Sequence, residues 1–214
     1  MDKPEFLERL RSGAASLGVQ VPLEAGEALF WLGSELLRWN AKVNLTAIVD
    51  PIDILDKHIL DSLGASTLLA PGTRTLLDVG TGAGFPGLPL ALVHPSLEVW
   101  LVEARGKKVG FLKHAVAGLG LASRVRPVHA TLATGARPPP GLPPVDSAIS
   151  RAFRDLAGWA DLATGYVRPG GQLLAMAGGG VEAPGLPGWG PPEVRRFLLP
   201  SGAGRTVLAY GRLA

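Results

Sequence analysis

"LLDVGTGAGFPGLPLA", Leu76 to Ala91, sets four glycines within eight residues, directly behind a short apolar run. The run reads as a buried strand, and "GLPLALVH" at the far side of the glycines reads as a helix. Glycine at such a junction permits a tight turn and lets another group come close to the backbone. The flanking sequence repeats the alternation. "LEVWLVE" is strand-like and "RGKKVGFLKHAVAGLG" is helical, with Gly120 as a stop. "RVRPVHA" and, beyond a proline-rich loop, "VDSAIS" are strands; "DLAGWADLATGYV" is a helix and "GQLLAMAG" a strand. "EVRRFLLP" and "GRTVLAYGRL" are two strands joined by "SGAG" with no helix between them. The expected class is therefore α/β, a mostly parallel seven-stranded sheet covered on both faces, with an antiparallel hairpin at one edge.

Upstream of Thr75 the pattern is helical. Phe6, Leu7, Leu10 and Leu17 share a face, as do Leu29, Phe30, Leu32, Leu36 and Leu37. Ile52, Leu55, Ile59 and Leu63 form a stripe behind Pro51, which suits a first helical turn. "PGT" at 71–73 is a turn, so we expect an N-terminal helical lobe over residues 1–72 and an α/β domain over 73–214.

The glycine loop has two ligand readings. As Gly82-x-Gly84-x-x-Gly87 it fits a dinucleotide fingerprint, with Glu103 at the end of the next strand to hold a ribose. As Asp78-x-Gly80-x-Gly82-x-Gly84 it fits the first motif of enzymes that bind S-adenosylmethionine. Both place a nucleoside at the carboxyl end of a parallel sheet. A dinucleotide brings a pyrophosphate to a helix N-terminus. S-adenosylmethionine brings an amino acid zwitterion and a sulfonium, and Asp78 then attracts its ammonium group, directly or through water. A tight turn with no ligand is the third alternative.

Composition narrows the chemistry. The 214 residues include no cysteine, which removes disulfides, thiolate nucleophiles and thiolate metal sites. His58, His94, His114 and His129 are scattered without metal-ligand spacing, so no metal is expected. No basic leader precedes an apolar stretch and no apolar run is long enough to span a bilayer; the expectation is a cytoplasmic protein with no membrane partner. The net charge of +3 conceals an asymmetry, −6 over residues 1–103 and +9 over 104–214. A basic half suggests a polyanionic partner such as nucleic acid, or serves solubility alone.

"WNAKVNLTAIVD" (39–50), "HILDSL" (58–63), "LLDVGTGAGFPGLPLA" (76–91), "VEARGKKVGFL" (102–112) and "ISRAF" (149–153) occur in that order. Together they resemble the bacterial small-subunit ribosomal RNA guanine-N7 methyltransferases, also called the glucose-inhibited division protein B family. The resemblance spans nearly the whole chain. It implies a Rossmann-like class I methyltransferase fold, S-adenosylmethionine as cofactor, and N7 of a guanine near the decoding region of 16S ribosomal RNA, or of the small subunit, as target. It implies cofactor contacts at Gly80 and Phe85 in the loop, at Glu103, Ala104 and Arg105 after the second strand, at Leu132 and Ala133 after the third, and at Arg151 after the fourth. Gly80 and Gly82 would let the backbone approach the methionine part. Glu103 would accept from both ribose hydroxyls, Leu132 and Ala133 would border the adenine, and Arg151 would face the donor's carboxylate or the RNA. Two positions depart from the family's habit: Ala133 stands where a Glu is common, and Ala177 where a Lys is common.

Guanine N7 carries an in-plane lone pair and no proton, so no general base is expected, and no Ser–His, Cys–His or His–Asp constellation is evident in the sequence. Asn40 and Asn44 orient the base edge or simply turn the chain after a helix. His58 and Asp61 line the cleft or form a helix-surface or buried structural pair. Trp31 and Trp39 are expected in the lobe core. Arg105, Lys107, Lys108 and Lys113 cluster at the start of a helix, where cations oppose the dipole; they are assigned to RNA phosphate contact, with a solvated helix face as the alternative. Nothing in the sequence demands a dimer, so a monomer is expected.

Overall fold

The computed structural model describes residues 1–136, 138–151 and 155–214. Asp2 opens α1 (Lys3–Ser16), its carboxylate accepting from the Glu5 amide at 2.9 Å, with Pro4 in the first turn. Phe6, Leu10 and Ala14 recur at helical spacing along its buried face. In α2 (Leu23–Asn40) the same spacing seals Leu29, Leu32 and Leu36. Asp50 caps α3 (Pro51–Ile54), accepting from the amides of Ile52 at 2.8 Å and Asp53 at 3.1 Å.

The apolar stripe from Ile52 to Leu63 predicts one continuous α-helix, and here the chain departs from it. Leu55–Leu60 is π-helical, and only Asp61–Ser66 returns to α-helix as α4. Hydrogen bonds in a π segment reach one residue further than in an α-helix. Asp56, His58 and Asp61 are buried along with Leu55, Ile59 and Leu63, while Ile52 is left 46% exposed.

From Thr75 the alternation follows the sequence reading: β1 (Thr75–Val79), α5 (Gly87–Val93), β2 (Glu98–Glu103), α6 (Gly106–Gly118), β3 (Val125–His129), β4 (Val145–Arg151), α7 (Leu156–Thr164), β5 (Val167–Gly178), β6 (Glu193–Leu198) and β7 (Gly204–Gly211). The order across the seven-stranded sheet is β3-β2-β1-β4-β5-β7-β6. The first five strands are parallel. The hairpin forms the far edge, with β7 antiparallel to both β5 and β6 and slotted between them.

The two faces of the sheet are covered differently. On one, α1, α2, the π segment, α4, α5 and α6 share a single apolar cluster with Leu76, Val99 and Leu101, so the helical lobe and the sheet have one continuous core. Trp31 and Trp39 lie at this seam, their rings 5.8 Å and 5.0 Å from that of His114 on α6, whose Nε2 is 2.6 Å from Glu35. On the other face Trp159 of α7 packs with Trp100 and Tyr210, and proline- and glycine-rich loops supply Leu142, Leu186 and Trp189. Those loops are pinned through polar tips of buried aromatics: Trp100 Nε1 donates to Gly141 O at 3.1 Å and Tyr210 Oη to Pro184 O at 3.0 Å.

Candidate active site

Strand order reverses between β1 and β4, which is where ligands bind in open α/β sheets. The glycine loop leaves the end of β1 and Arg151 closes β4, so the two flank this crevice.

One half of the crevice is made of backbone. Asp78 is fully buried, and its Oδ2 accepts from Thr81 Oγ1 at 2.6 Å and from the Gly87 amide at 2.8 Å. Burial pushes its carboxyl up to about 6, against the pull of those hydrogen bonds. Asp78 lies beneath the loop, where its Oδ2 ties the strand end to the start of α5, while its Oδ1 has no partner among the described residues. A Cβ on Gly87 would stand 2.8 Å from Asp78 Oδ2, which is why glycine is needed there.

The loop itself is self-satisfied. The amides of Gly80 and Thr81 donate to Val102 O, those of Gly84 and Phe85 to Thr81 O, and that of Gly82 to Glu103 Oε2 at 3.0 Å. A pyrophosphate-binding turn aims free amides at its ligand; here most of them are already engaged. The outer side is open. Gly80 has φ +71°, and a Cβ there would meet nothing within 4 Å. Gly82 has φ +64°, and its Cβ would meet only Lys108 Nζ, at 3.8 Å. Glu103 ends β2 with Oε1 accepting from the Arg105 amide at 2.8 Å, and each of its oxygens keeps a further lone pair. Ala104 and Arg105 are exposed beside it; Ala104 O is 3.0 Å from His129 Nε2. Leu132, half-buried, and Ala133, exposed, follow β3, whose last residue pairs with Glu103.

Side chains make the other half. The ring of Phe85 is turned inward under His58, stacked at 4.9 Å and 21°. His58 Nε2 lies 2.9 Å from Thr46 Oγ1, and its Nδ1 lies 3.1 Å from Arg151 Nη1. A guanidinium only donates, so Nδ1 accepts and Nε2 carries the proton toward Thr46, whose oxygen also accepts from the Ile48 amide at 3.1 Å. Burial, reinforced by Arg151 and Lys108, holds the imidazole down at about 3, so it is neutral at physiological pH. Asp61 is buried between Arg205 Nε at 3.1 Å and Arg151 Nη1 at 3.8 Å. Burial raises its carboxyl while the two guanidinium groups oppose the shift. Desolvation likewise lowers Arg151, with Asp61 and Asp78 opposing.

These groups, with Ile48, Lys57, Met176, Ala177 and Gly178, line a cavity of about 400 Å³ at the ends of β4 and β5. That is within the range of small-ligand sites. A larger cavity, about 640 Å³, lies between α1, the opposite face of the π segment and the β6–β7 turn. We place the site in the smaller one, because it opens at the ends of β4 and β5 and its His58 stacks on Phe85 of the glycine loop.

Of the residues singled out from sequence, Gly80, Gly82, Glu103, Ala104 and Arg105 gather at one end of the crevice, and His58, Asp61, Arg151 and Ala177 at the other. Asn40 is a structural clamp, accepting from the amides of Leu45 and Thr46 and donating to Thr46 O at 2.9 Å. Asn44 is exposed on the loop so held. Arg105, Lys107 and Lys113 are exposed, whereas Lys108 is half-buried and turned toward the glycine loop. Ala152 and Phe153 of "SRAF" lie outside the described residues. Thr46 and Arg205 were not found from sequence. Thr46 sits inside the quoted "NLT", and Arg205 carries no local signal because its partner Asp61 is remote in the chain.

The profile of the family described as rRNA small subunit methyltransferase G matches residues 27–183. The ribosomal RNA small subunit methyltransferase G of Myxococcus xanthus (strain DK1622) is 51% identical over 178 residues, 83% of this chain and 81% of that protein. The enzyme of the same name from Anaeromyxobacter sp. (strain Fw109-5) is 39% identical over 98% of this chain and 99% of its own. Among solved structures, the O-methyltransferase TomG from Streptomyces achromogenes aligns with a TM-score of 0.60 at 17% identity, covering 99% of both chains, a likeness of fold.

Proposed function

The chain belongs to the rRNA small subunit methyltransferase G family and is an S-adenosylmethionine-dependent ribosomal RNA methyltransferase; we propose that its target is N7 of one guanine in the 16S RNA of the small subunit. The observation that carries this reading is the pairing of an open, self-satisfied glycine loop with a guanidinium-lined cavity beside it. The loop fits the donor: the space over Gly80 admits a ligand, and its engaged amides favour a nucleoside with a zwitterionic tail over a pyrophosphate. This weighs against a nicotinamide-dependent oxidoreductase.

When bound, S-adenosylmethionine supplies an electrophilic methyl group on a sulfonium. The chain's own residues hold and orient. Gly80 and Gly82 give the donor room, Glu103 offers its remaining lone pairs to the ribose, and Ala104, Arg105, Leu132 and Ala133 border the adenine. Half-buried Arg151 and Arg205, held by buried Asp61, form a charge array in the acceptor cavity, which with Lys57 keeps its cations although Ala177 supplies none. His58 is no base in this arrangement, because its one free lone pair is taken by Arg151. None is needed: N7 presents a lone pair, and transfer requires closeness, alignment and exclusion of water. Exposed Asn44 lies on the loop clamped by Asn40, two residues before the Thr46 that meets His58, and is assigned to base positioning.

Exposed Arg105, Lys107 and Lys113 line the approach and suit phosphate contacts. We read residues 1–72 as a helical lobe and 73–214 as the donor-binding domain, packed together through one continuous apolar cluster. Among the described residues no helix is long and apolar enough to cross a membrane; the protein works as a cytoplasmic monomer where the small subunit is made. The test is incubation with a labelled methyl donor and deproteinised RNA, isolated small subunits or whole ribosomes, followed by mapping of the label. A single guanine labelled at N7 is expected; label on an exocyclic amine or a ribose would overturn the assignment.

A further inference from the structure

We infer that Lys108 is a donor-binding residue, whose ammonium group holds the α-carboxylate of S-adenosylmethionine over the glycine loop; the inference rests on the donor assignment above. Three observations place it there. The first is direction: Lys108 Nζ stands 3.8 Å from the position of a Cβ on Gly82, on the open side of the loop. The basic residues around it, Arg105, Lys107 and Lys113, are exposed, and Lys108 alone of the four is half-buried.

The second is need. A carboxylate arriving at a glycine loop is usually met by backbone amides. Here the amides of Gly80, Thr81, Gly82, Gly84, Phe85 and Gly87 donate within the protein. Glu103 contributes a negative charge to the same wall. Between Gly80 and Gly87 the Ala83 amide alone lacks a partner among the described residues, so a full negative charge also calls for a cation from a side chain, and Lys108 is the one that reaches the loop.

The third is availability. Lys108 has no ion-pair partner among the described residues, while Lys57 is held by Asp53 at 2.8 Å and Arg205 by Asp61 at 3.1 Å. It also lies close enough to His58 to add to the electrostatic lowering of that imidazole, which puts its charge at the junction of the two halves of the crevice. A bound carboxylate would neutralise that charge just before a cationic purine forms next to it.

The experiment uses calorimetry on the full chain with two probes that differ only in the amino acid part, S-adenosylhomocysteine and 5′-methylthioadenosine. Lys108→Met is expected to weaken S-adenosylhomocysteine by about tenfold or more, the size of a charge-assisted hydrogen bond, and to leave methylthioadenosine within about twofold of the parent. Lys108→Arg is expected to restore most of the loss. Equal weakening of both probes would mean a disturbed loop and would overturn the inference. So would unchanged binding of both together with an RNA salt dependence shallower by about one unit, which would make Lys108 a phosphate contact. If the parent protein bound neither probe, the donor assignment itself would fall, an outcome separate from any effect of Lys108.

Discussion

The donor half of the crevice is built from backbone and the acceptor half from charged side chains. At the glycine loop, open space, positive φ and engaged amides define the site, with Asp78 hidden underneath and buried Glu103 at its edge. Across the crevice, shape comes from a π segment and polarity from His58, Asp61, Arg151 and Arg205, drawn from three separate stretches of chain. The first kind of site is local and stiff. The second depends on several long-range contacts holding at once, and desolvation makes every missing partner costly.

The largest expected effect separates the halves most sharply. Gly80→Val puts a branched side chain at φ +71° into the space over the loop. Binding of S-adenosylmethionine should drop by at least about a hundredfold, while stability falls by only about 1–2 kcal/mol from the left-handed backbone. Calorimetry and thermal unfolding read the two quantities separately, and unchanged affinity would show that the donor does not lie over Gly80.

Arg151→Met should behave in the opposite way. It removes a donor from His58 Nδ1 and a counter-charge from buried Asp61. We expect about 3 kcal/mol of lost stability in urea titration and a steep fall in methyl transfer, with donor affinity changed less than by Gly80→Val. Equal losses in both properties would merge the two halves into one cooperative unit.

Acid sensitivity gives a smaller effect of opposite sign in the two halves. Folded His58 titrates near 3, against an ordinary 6.5. The unfolded chain therefore takes the proton first, and stability falls as pH drops from about 6.5 toward 3, by at most about 1.4 kcal/mol per pH unit. Folded Asp78 titrates near 6, above an ordinary 3.8, so its contribution is present below 3.8 and is lost as pH rises through about 6. His58→Gln should flatten the acid limb between about pH 6.5 and 4, and Asp78→Asn should steepen it. Urea midpoints across that range check both directions. A methyl-transfer rate that is level from about pH 6 to 9 should accompany them, because His58 titrates far below that range and Asp78, near its lower limit, is no base toward the reacting atoms.

The smallest effect lies outside both halves. Lys107→Gln removes one exposed cation from the start of α6. It should weaken RNA binding about equally for all sequences and make the salt dependence shallower by about one unit. An unchanged slope would make this lysine part of a solvated helix face.

The same contrast explains what the sequence disclosed. Asp78 and Glu103 lie at the ends of two adjacent strands with Gly80, Gly82 and Gly84 in the loop after the first, and their spacing is a property of one strand–turn–helix–strand unit, so reading along the chain finds them. The strand alternation and closing hairpin are legible for the same reason. The π segment is not, because Leu55, Ile59 and Leu63 satisfy helical spacing whether or not a turn is widened. The depth of Asp78 is not legible: spacing places a carboxylate at the strand end but says nothing of Thr81 and the Gly87 amide closing over its Oδ2. Lys108 was grouped with its neighbours by composition, although a helix sends adjacent residues in different directions. Arg205 required the tertiary structure, since only the insertion of β7 beside β5 brings it to Asp61.

That insertion has a consequence for a chain made from its N-terminus onward. The donor half is complete once β1, β2, α6 and the segment after β3 have emerged. The acceptor half is not, because β6 has no neighbour to pair with until β7 enters between it and β5. Arg205 is delivered by that same last strand. A nascent or C-terminally truncated chain can thus present a donor cradle while Asp61 lacks its closest cation and the edge of β5 stands bare. Competence for methyl transfer comes with the final strand, so an incomplete copy of this protein has no finished cavity in which to seat a base.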